Sequence, residues 1–208
     1  MIKLLQYVFG YADVRLSDIA TITRGGNFQK KDFVEEGFPA IHYGQIYTQY
    51  GIHASETISC ISEKVAEKSK KAVTNDIVMA VTSENVEDVC RCVAWLGMGE
   101  IAVSGHTAII HHNQNAKYLA YYFHTQEFAI QKRKLAHGTK VIEVTPDRLN
   151  DIVLYLPSLE EQRRKVGILD KFDVLCNDIS EGIPAEIDAR EKQYEYYRNE
   201  LLSFEKVK

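Results

Sequence analysis

From Val14 to Leu156 the chain carries short apolar or alternating runs, broken by glycines and turn residues, with a few stretches of helical spacing. Short strands interleaved with occasional helices predict an α+β domain. The runs place strands at Ala40 to Ile46, Ile77 to Thr82, Val89 to Trp95, Ile101 to Val103, Ala108 to His111 and Asp151 to Leu156. Helical spacing marks Leu16 to Ala20, Ala116 to Phe123 and Glu127 to Leu135.

After Leu156 the pattern changes. Ser158 followed three residues later by Glu161 forms a capping box, which satisfies two orphan backbone donors and starts a helix. Val166, Leu169, Phe172, Leu175 or Cys176, Ile179 and Ile183 then make one apolar stripe. Gly182 is expected to stop this helix and Pro184 to open a second, with Glu186 and Asp188 favoured near its positive end. In the second helix Ile187, Tyr194 and Leu201 recur every seven residues, with Tyr197 and Phe204 between, as in a coiled-coil seam. The seam either joins two chains or packs the helices on their own domain. Each piece, about 23 residues, is roughly 35 Å long. In line, the two would span more than one DNA turn of about 34 Å; folded back, they form a hairpin. The expected organisation is a globular domain over 1–157 followed by a long helical coiled-coil region over 158–208.

A composition of 45% hydrophobic and 26% charged residues fits a globular protein with a packed core. No run approaches the ~18 apolar residues of a membrane span, and Ile2 to Tyr11 is too short for one and lacks a secretory cleavage site. A cytoplasmic protein without membrane association is therefore expected. Cys60, Cys90, Cys92 and Cys176 show neither a metal-binding pair nor a disulfide framework, so reduced structural thiols are expected. A formal net charge of −4 argues against coating nucleic acid by bulk electrostatics. Any contact with DNA must come from local patches.

Nucleotide-binding loops, the zinc-protease pattern and the serine nucleophile elbow are absent from the sequence. No acid stands two residues before a lysine, as restriction-type nucleases require, and no N-P-P-Y or D-P-P-Y run marks an adenine methyltransferase. No catalytic residue, cofactor or metal site is assigned. The alternative is a metal-dependent nuclease built on His106, His111, His112, His124 and His137, which crowd into one third of the chain without acids or cysteines at ligand spacing.

Thr23 to Lys31 holds three basic residues, no acid and a Gly pair expected to be flexible. Lys30 and Lys31 suit phosphates, while Arg24, Asn27 and Gln29 have donor geometries that read base edges. A solvated surface loop would look the same. Ile130 to Lys140, with Lys132, Arg133, Lys134 and Lys140, is a second basic segment, equally explained by a helix dipole. His42, Tyr43, Gln45, Tyr47, Gln49 and Tyr50 form a polar aromatic string whose alternation puts hydrogen-bonding side chains on one face at a time, which suits a nucleic-acid contact and a half-buried strand equally. His42, Gln45, Ser83, Asn85, His106 and Lys140 complete the candidate DNA-binding set.

Four segments carry a resemblance: Val14-Arg-Leu-Ser-Asp-Ile-Ala-Thr-Ile-Thr-Arg-Gly-Gly26, Glu100-Ile-Ala-Val-Ser-Gly-His-Thr-Ala108, Leu156-Pro-Ser-Leu-Glu-Glu-Gln-Arg-Arg-Lys165 with its continuation to Asp173, and Gly182-Ile-Pro-Ala-Glu-Ile187 with Gln193 to Phe204. On these the chain resembles the specificity subunits of Type I restriction-modification systems. The resemblance implies a target-recognition domain that reads one half of a split double-stranded DNA site, and helices that space it from a second such domain. It implies docking of modification subunits, which methylate adenine with S-adenosylmethionine, and recruitment of an ATP- and Mg-dependent restriction subunit. The chain itself is then a non-catalytic recognition subunit.

The sequence departs from that pattern in carrying one recognition domain and one helical region. A homodimer through Val166, Leu169, Ile187, Tyr194, Tyr197 and Leu201 would restore two, each buried apolar side chain contributing about 1.5–3 kcal/mol before entropy costs, and would read an inverted repeat. Asn75-Asp76 stands where relatives often have Gly-Asp, and Met1 to Asp13 has no clear counterpart, so a silent recombination cassette is the other reading.

Overall fold

In the computed structural model of the protein, which describes residues 1–178 and 184–203, the apolar runs become strands covered on both faces. β8 (Ile77–Ala80) is buried at every position. Ile77 and Met79 enter one core and Val78 and Ala80 another. β10 (Cys92–Trp95) divides likewise, Cys92 and Ala94 against Val93 and Trp95. Burial on both sides removes the polar face, which is why these strands read as continuous apolar runs.

With β2 (Ala20–Arg24), β12 (Thr107–His112) and β5 (His53–Ala54) they form a sheet of order β2-β12-β8-β10-β5, antiparallel except for β10 with β5. A second sheet has the order β3-β6-β4-β11-β7, from β3 (Phe33–Val34), β6 (Ser59–Ile61), β4 (Phe38–Ile41), β11 (Ile101–Val103) and β7 (Lys71–Ala72). Ile41, Val78, Trp95, Val103 and Ile109 fill one shared core. Against the other face of the first sheet pack α5 (Ala116–Tyr122) and α6 (Gln126–Leu135), through Tyr118, Leu119, Tyr122 and Phe128. The mixed fold expected from the sequence is thus layered, with these helices on one face of largely antiparallel strands.

Shorter elements complete the domain: α1 (Ile2–Phe9), β1 (Tyr11–Arg15), α2 (Leu16–Ile19), α3 (Tyr43–Thr48), α4 (Glu63–Ala66), β9 (Thr82–Ser83), β13 (Ile142–Glu143), α7 (Pro146–Leu149) and β14 (Val153–Pro157). β1 and β14 pair antiparallel, from Tyr11 opposite Pro157 to Arg15 opposite Val153. Asn75 has φ of 76°, the left-handed region that glycine occupies without penalty. Its side chain repays the strain by donating to the Gln114 carbonyl at 2.9 Å.

The Ser158 hydroxyl accepts from the Glu161 amide at 3.3 Å, while the Glu161 carboxylate turns to Arg164, so half of the expected capping box forms. α8 (Leu159–Asp178) and α9 (Pro184–Leu202) run antiparallel. Lys165 donates to the Leu201 carbonyl and Phe172 stacks on Tyr197 with ring centres 5.4 Å apart. The pieces therefore fold back as a hairpin and do not add end to end. The hairpin is rooted in the domain: Val166, Leu169 and Leu202 belong to the core beneath the first sheet, with Tyr194 and Leu201 packed on it. This corrects the seam expected between two chains at Val166 and Leu169, which their own domain buries, while Tyr194 and Leu201 are half-buried against it. Tyr196 and Tyr197 face outward. Ile179, Gly182, Ile183 and Phe204 lie outside the described residues, as do the side chains of Leu175, Cys176, Glu186 and Ile187. Among the described residues no helix is long and apolar enough to cross a membrane.

Candidate nucleic-acid interface

The basic loop after β2 is held in place by close packing. A Cβ at Gly25 would lie 2.1 Å from the Ser104 carbonyl oxygen, and the Gly26 amide donates to Val103 at 2.7 Å. The Gly pair, expected to be flexible, thus permits a tight approach to the turn between β11 and β12. Phe28 anchors the next turn in a small core with Ala40, Ile61 and Ala102. Between these anchors Asn27, Gln29, Lys30 and Lys31 are exposed. Arg24 is partly committed: its Nε donates to the Gly105 carbonyl at 3.0 Å and its Nη2 lies 2.8 Å from the Glu143 carboxylate.

The polar aromatic string is a short helix, which corrects the expected strand through Ile46. His42 caps it, its Nδ1 accepting from the Gly44 amide at 3.2 Å while its own amide donates to Gln45 Oε1 at 3.0 Å. Gln45 Nε2 donates to the Ser59 hydroxyl at 2.7 Å. Both side chains are buried, and burial, then nearby Lys30 and His106, holds His42 neutral with a pKa of about 4. The polar atoms of His42 and Gln45 therefore build α3. Tyr43 is what α3 presents, its ring 4.5 Å from His42 and 4.9 Å from the exposed His106. The Tyr43 amide donates to the buried Ser104 hydroxyl at 2.9 Å.

Beside α3 the chain from Ser83 to Arg91 forms a second rim. Asn85 and Asp88 exchange two hydrogen bonds of 2.7 and 2.8 Å, and Cys90 turns through φ of 69° before β10 begins. The expected strand from Val89 starts at Cys92 for this reason. Lys132 corrects the second basic segment: it is buried, and its ammonium donates to the carbonyls of Glu87 at 2.6 Å and Val89 at 2.7 Å. Arg133, Lys134 and Lys140 remain exposed. Between α3 and this rim lies an open cleft of about 650 Å³, lined by Tyr43, Tyr47, Ser83, Asn85, Arg91 and Val141.

One pole of the domain therefore gathers the 24–31 loop, α3, the Ser104–Thr107 turn, the 83–91 rim and the β13 strand that carries Glu143. Arg24, Ser83, Asn85 and His106 are among the candidates expected from the sequence, as are Tyr43 and Tyr47 in the polar aromatic string, whereas Asp88, Arg91 and Glu143 are not. A lone arginine between two buried cysteines was the available signal for Arg91. At the opposite end of β12, about 20 Å away at roughly 3.3 Å per residue, lies the hairpin root, where Gln162 accepts from the Asn115 amide at 3.0 Å.

The histidines are dispersed. His111 contacts the buried Asp76 at 2.6 Å, His112 accepts from the Gln114 amide, and His124 donates to the Ala120 carbonyl. Among the described residues no three His, Cys, Asp or Glu side chains come together as a metal site.

Residues 10–189 match the family model described as Type I restriction modification DNA specificity domain. The chain is 34% identical over 145 residues to the Type I restriction enzyme EcoR124I/EcoR124II specificity subunit of Escherichia coli, an alignment covering 69% of this chain and 36% of that protein. It is 50% identical over 54 residues to the Type I restriction enzyme MpnII specificity subunit of Mycoplasma pneumoniae, covering 26% of this chain and 16% of that one. Among solved structures, the HsdS subunit from Thermoanaerobacter tengcongensis superposes with a TM-score of 0.58 at 17% identity, over 93% of this chain and 45% of that one. At that identity the likeness is one of fold. The chain spans less than half the length of each of these relatives.

Proposed function

The chain belongs to the Type I restriction-modification DNA specificity family, and on that premise we propose that it reads one half of a bipartite DNA site and brings methyltransferase subunits to it without performing chemistry itself. Residues 1–157 act as the target-recognition domain and 158–208 as the helical region for spacing and partner contact. The observation that carries this reading is the polarity of the domain. Exposed Asn27, Gln29, Lys30, Lys31 and His106 lie toward the end of β12 where Ala108 pairs with Arg24, and Gln162 of α8 is bonded to Asn115 past its other end.

Lys30 and Lys31 neutralise phosphates while polar side chains of the same pole face the major groove. The near-neutral domain limits nonspecific binding, because the basic groups are few and local. Two copies form a homodimer and read an inverted repeat. Their contact uses the exposed Tyr196 and Tyr197, since Val166 and Leu169 are buried in their own domain. S-adenosylmethionine, ATP and Mg belong to the modification and restriction subunits, and the complex works in the cytoplasm.

The test is to mix the purified chain with Type I modification subunits, S-adenosylmethionine and bacterial genomic DNA, then map methylated adenines and weigh the complex by light scattering. Methylation of a split inverted repeat by a complex holding two copies supports the reading. Failure to take up the modification subunits, or methylation at sites with no common motif, overturns it.

A further inference from the structure

Resting on the DNA-recognition reading above, we propose that the base-reading element of this face is the cleft between α3 and the 83–91 rim, and that Arg91 takes a guanine edge there. Sequence alone pointed to Arg24, but the guanidinium of Arg24 is engaged on two sides, by the Gly105 carbonyl and the Glu143 carboxylate. Arg91 is held differently. Its Nε lies 3.4 Å from Asp88 Oδ1, and its Nη1 reaches the Tyr47 carbonyl at 3.4 Å. These long contacts take the Nε hydrogen and one of the two on Nη1, and Nη2 makes no hydrogen bond among the described residues, so both terminal nitrogens keep a donor. The side chain is 49% exposed. A bidentate donor pair on a guanidinium matches the two acceptors of guanine in the major groove.

The rim is built to hold that arginine still. Lys132 ties down the carbonyls of Glu87 and Val89, Asn85 and Asp88 bond each other twice, and the left-handed Cys90 fixes the step to Arg91. Immobilisation before binding lowers the entropy lost on contact. The cleft wall also selects its ligand. Glu84 and Asp88 stand beside Arg91 and repel phosphate, whereas base edges offer amino groups that carboxylates accept. Lys30 and Lys31, outside the cleft, carry the backbone contacts.

The experiment selects binding sites from a randomised DNA duplex library with the full chain, comparing wild type, Arg91→Ala, Arg91→Lys and Lys31→Ala. Arg91→Ala is expected to lose preference at one guanine position and to bind the selected site about tenfold more weakly, with random duplex unchanged within about twofold. Arg91→Lys behaves like Arg91→Ala, because an ammonium cannot make the bidentate contact. Lys31→Ala weakens all duplexes equally and keeps the motif. The proposal is overturned if Arg91→Ala selects the same motif with unchanged affinity, if it loses selected and random duplex alike, or if Arg91→Lys retains full discrimination. A wild-type chain that enriches no motif overturns the DNA-recognition reading itself. Thermal melts separate these outcomes from misfolding, and should Arg91→Ala fail to fold, Arg91→Lys decides.

Discussion

The Tyr121 hydroxyl on α5 donates to the Asp170 carboxylate on α8 across 2.8 Å, and Lys117 bonds the second oxygen of the same carboxylate at 2.5 Å. One carboxylate thus fastens the helical hairpin to α5 of the globular domain. Asp170→Ala leaves a buried phenol and a largely buried ammonium without their acceptor. It is expected to cost about 2–3 kcal/mol in urea unfolding, with amide exchange accelerating first in α8. Tyr121→Phe combined with Asp170→Ala should cost less than the sum of the single losses.

Lys132 is a structural cation. Lys132→Met keeps the aliphatic stem but strips two donors from the carbonyls of Glu87 and Val89. A loss of about 1–3 kcal/mol is expected, together with faster exchange of the Cys90 amide, which donates to Ala80 in the native chain. Unchanged exchange at Cys90 would show that the rim holds its shape without the lysine.

Gly25→Ala forces a methyl group against the Ser104 carbonyl and the Thr107 hydroxyl. Backbone must move, so a cost of about 1–3 kcal/mol is expected, with displacement of Lys30 and Lys31. Duplex binding should weaken more than stability alone explains, measured by fluorescence anisotropy at temperatures well below the melt.

Acid should destabilise the fold through its histidines. Burial holds His42, His112 and His124 at pKa values of about 4, below the ordinary 6.5. Between these values the unfolded chain binds more protons than the folded one, so stability falls as pH drops from about 6.5 toward 4. At pH 5.5 each histidine contributes a loss of roughly 1 kcal/mol, or about 3–4 kcal/mol together. Urea midpoints at pH 7.5 and 5.5 provide the check. Replacing His124 with Gln should flatten the dependence.

Parts of this molecule were legible because their physics is local. Ile101 to Val103 is a strand by its apolar run alone, and Ala116 and Gln126 open helices close to where helical spacing begins. His42 to Tyr50 failed because a six-residue helix is too short to display a 3.6-residue period, and Tyr43, Gln45, Tyr47 and Gln49 at alternate positions imitate a period of two. Lys132 failed because a lysine that bonds two carbonyls is indistinguishable in sequence from one that meets solvent. Arg24 and Glu143 are joined only by the fold, through β9 and β13, so no local reading finds their pairing.

The strand pair of β1 and β14 sets Tyr11 beside Pro157, so the strands that bound the globular sheets meet at a single doorway. A unit whose bounding strands lie side by side can be lifted out whole, permuted at another loop, or exchanged for a homologue with a different cleft, its Pro157 end still leading into α8. On the proposed reading, new sequence preferences arise by replacing one interchangeable cassette while the distance between the doorway and the far pole stays unchanged.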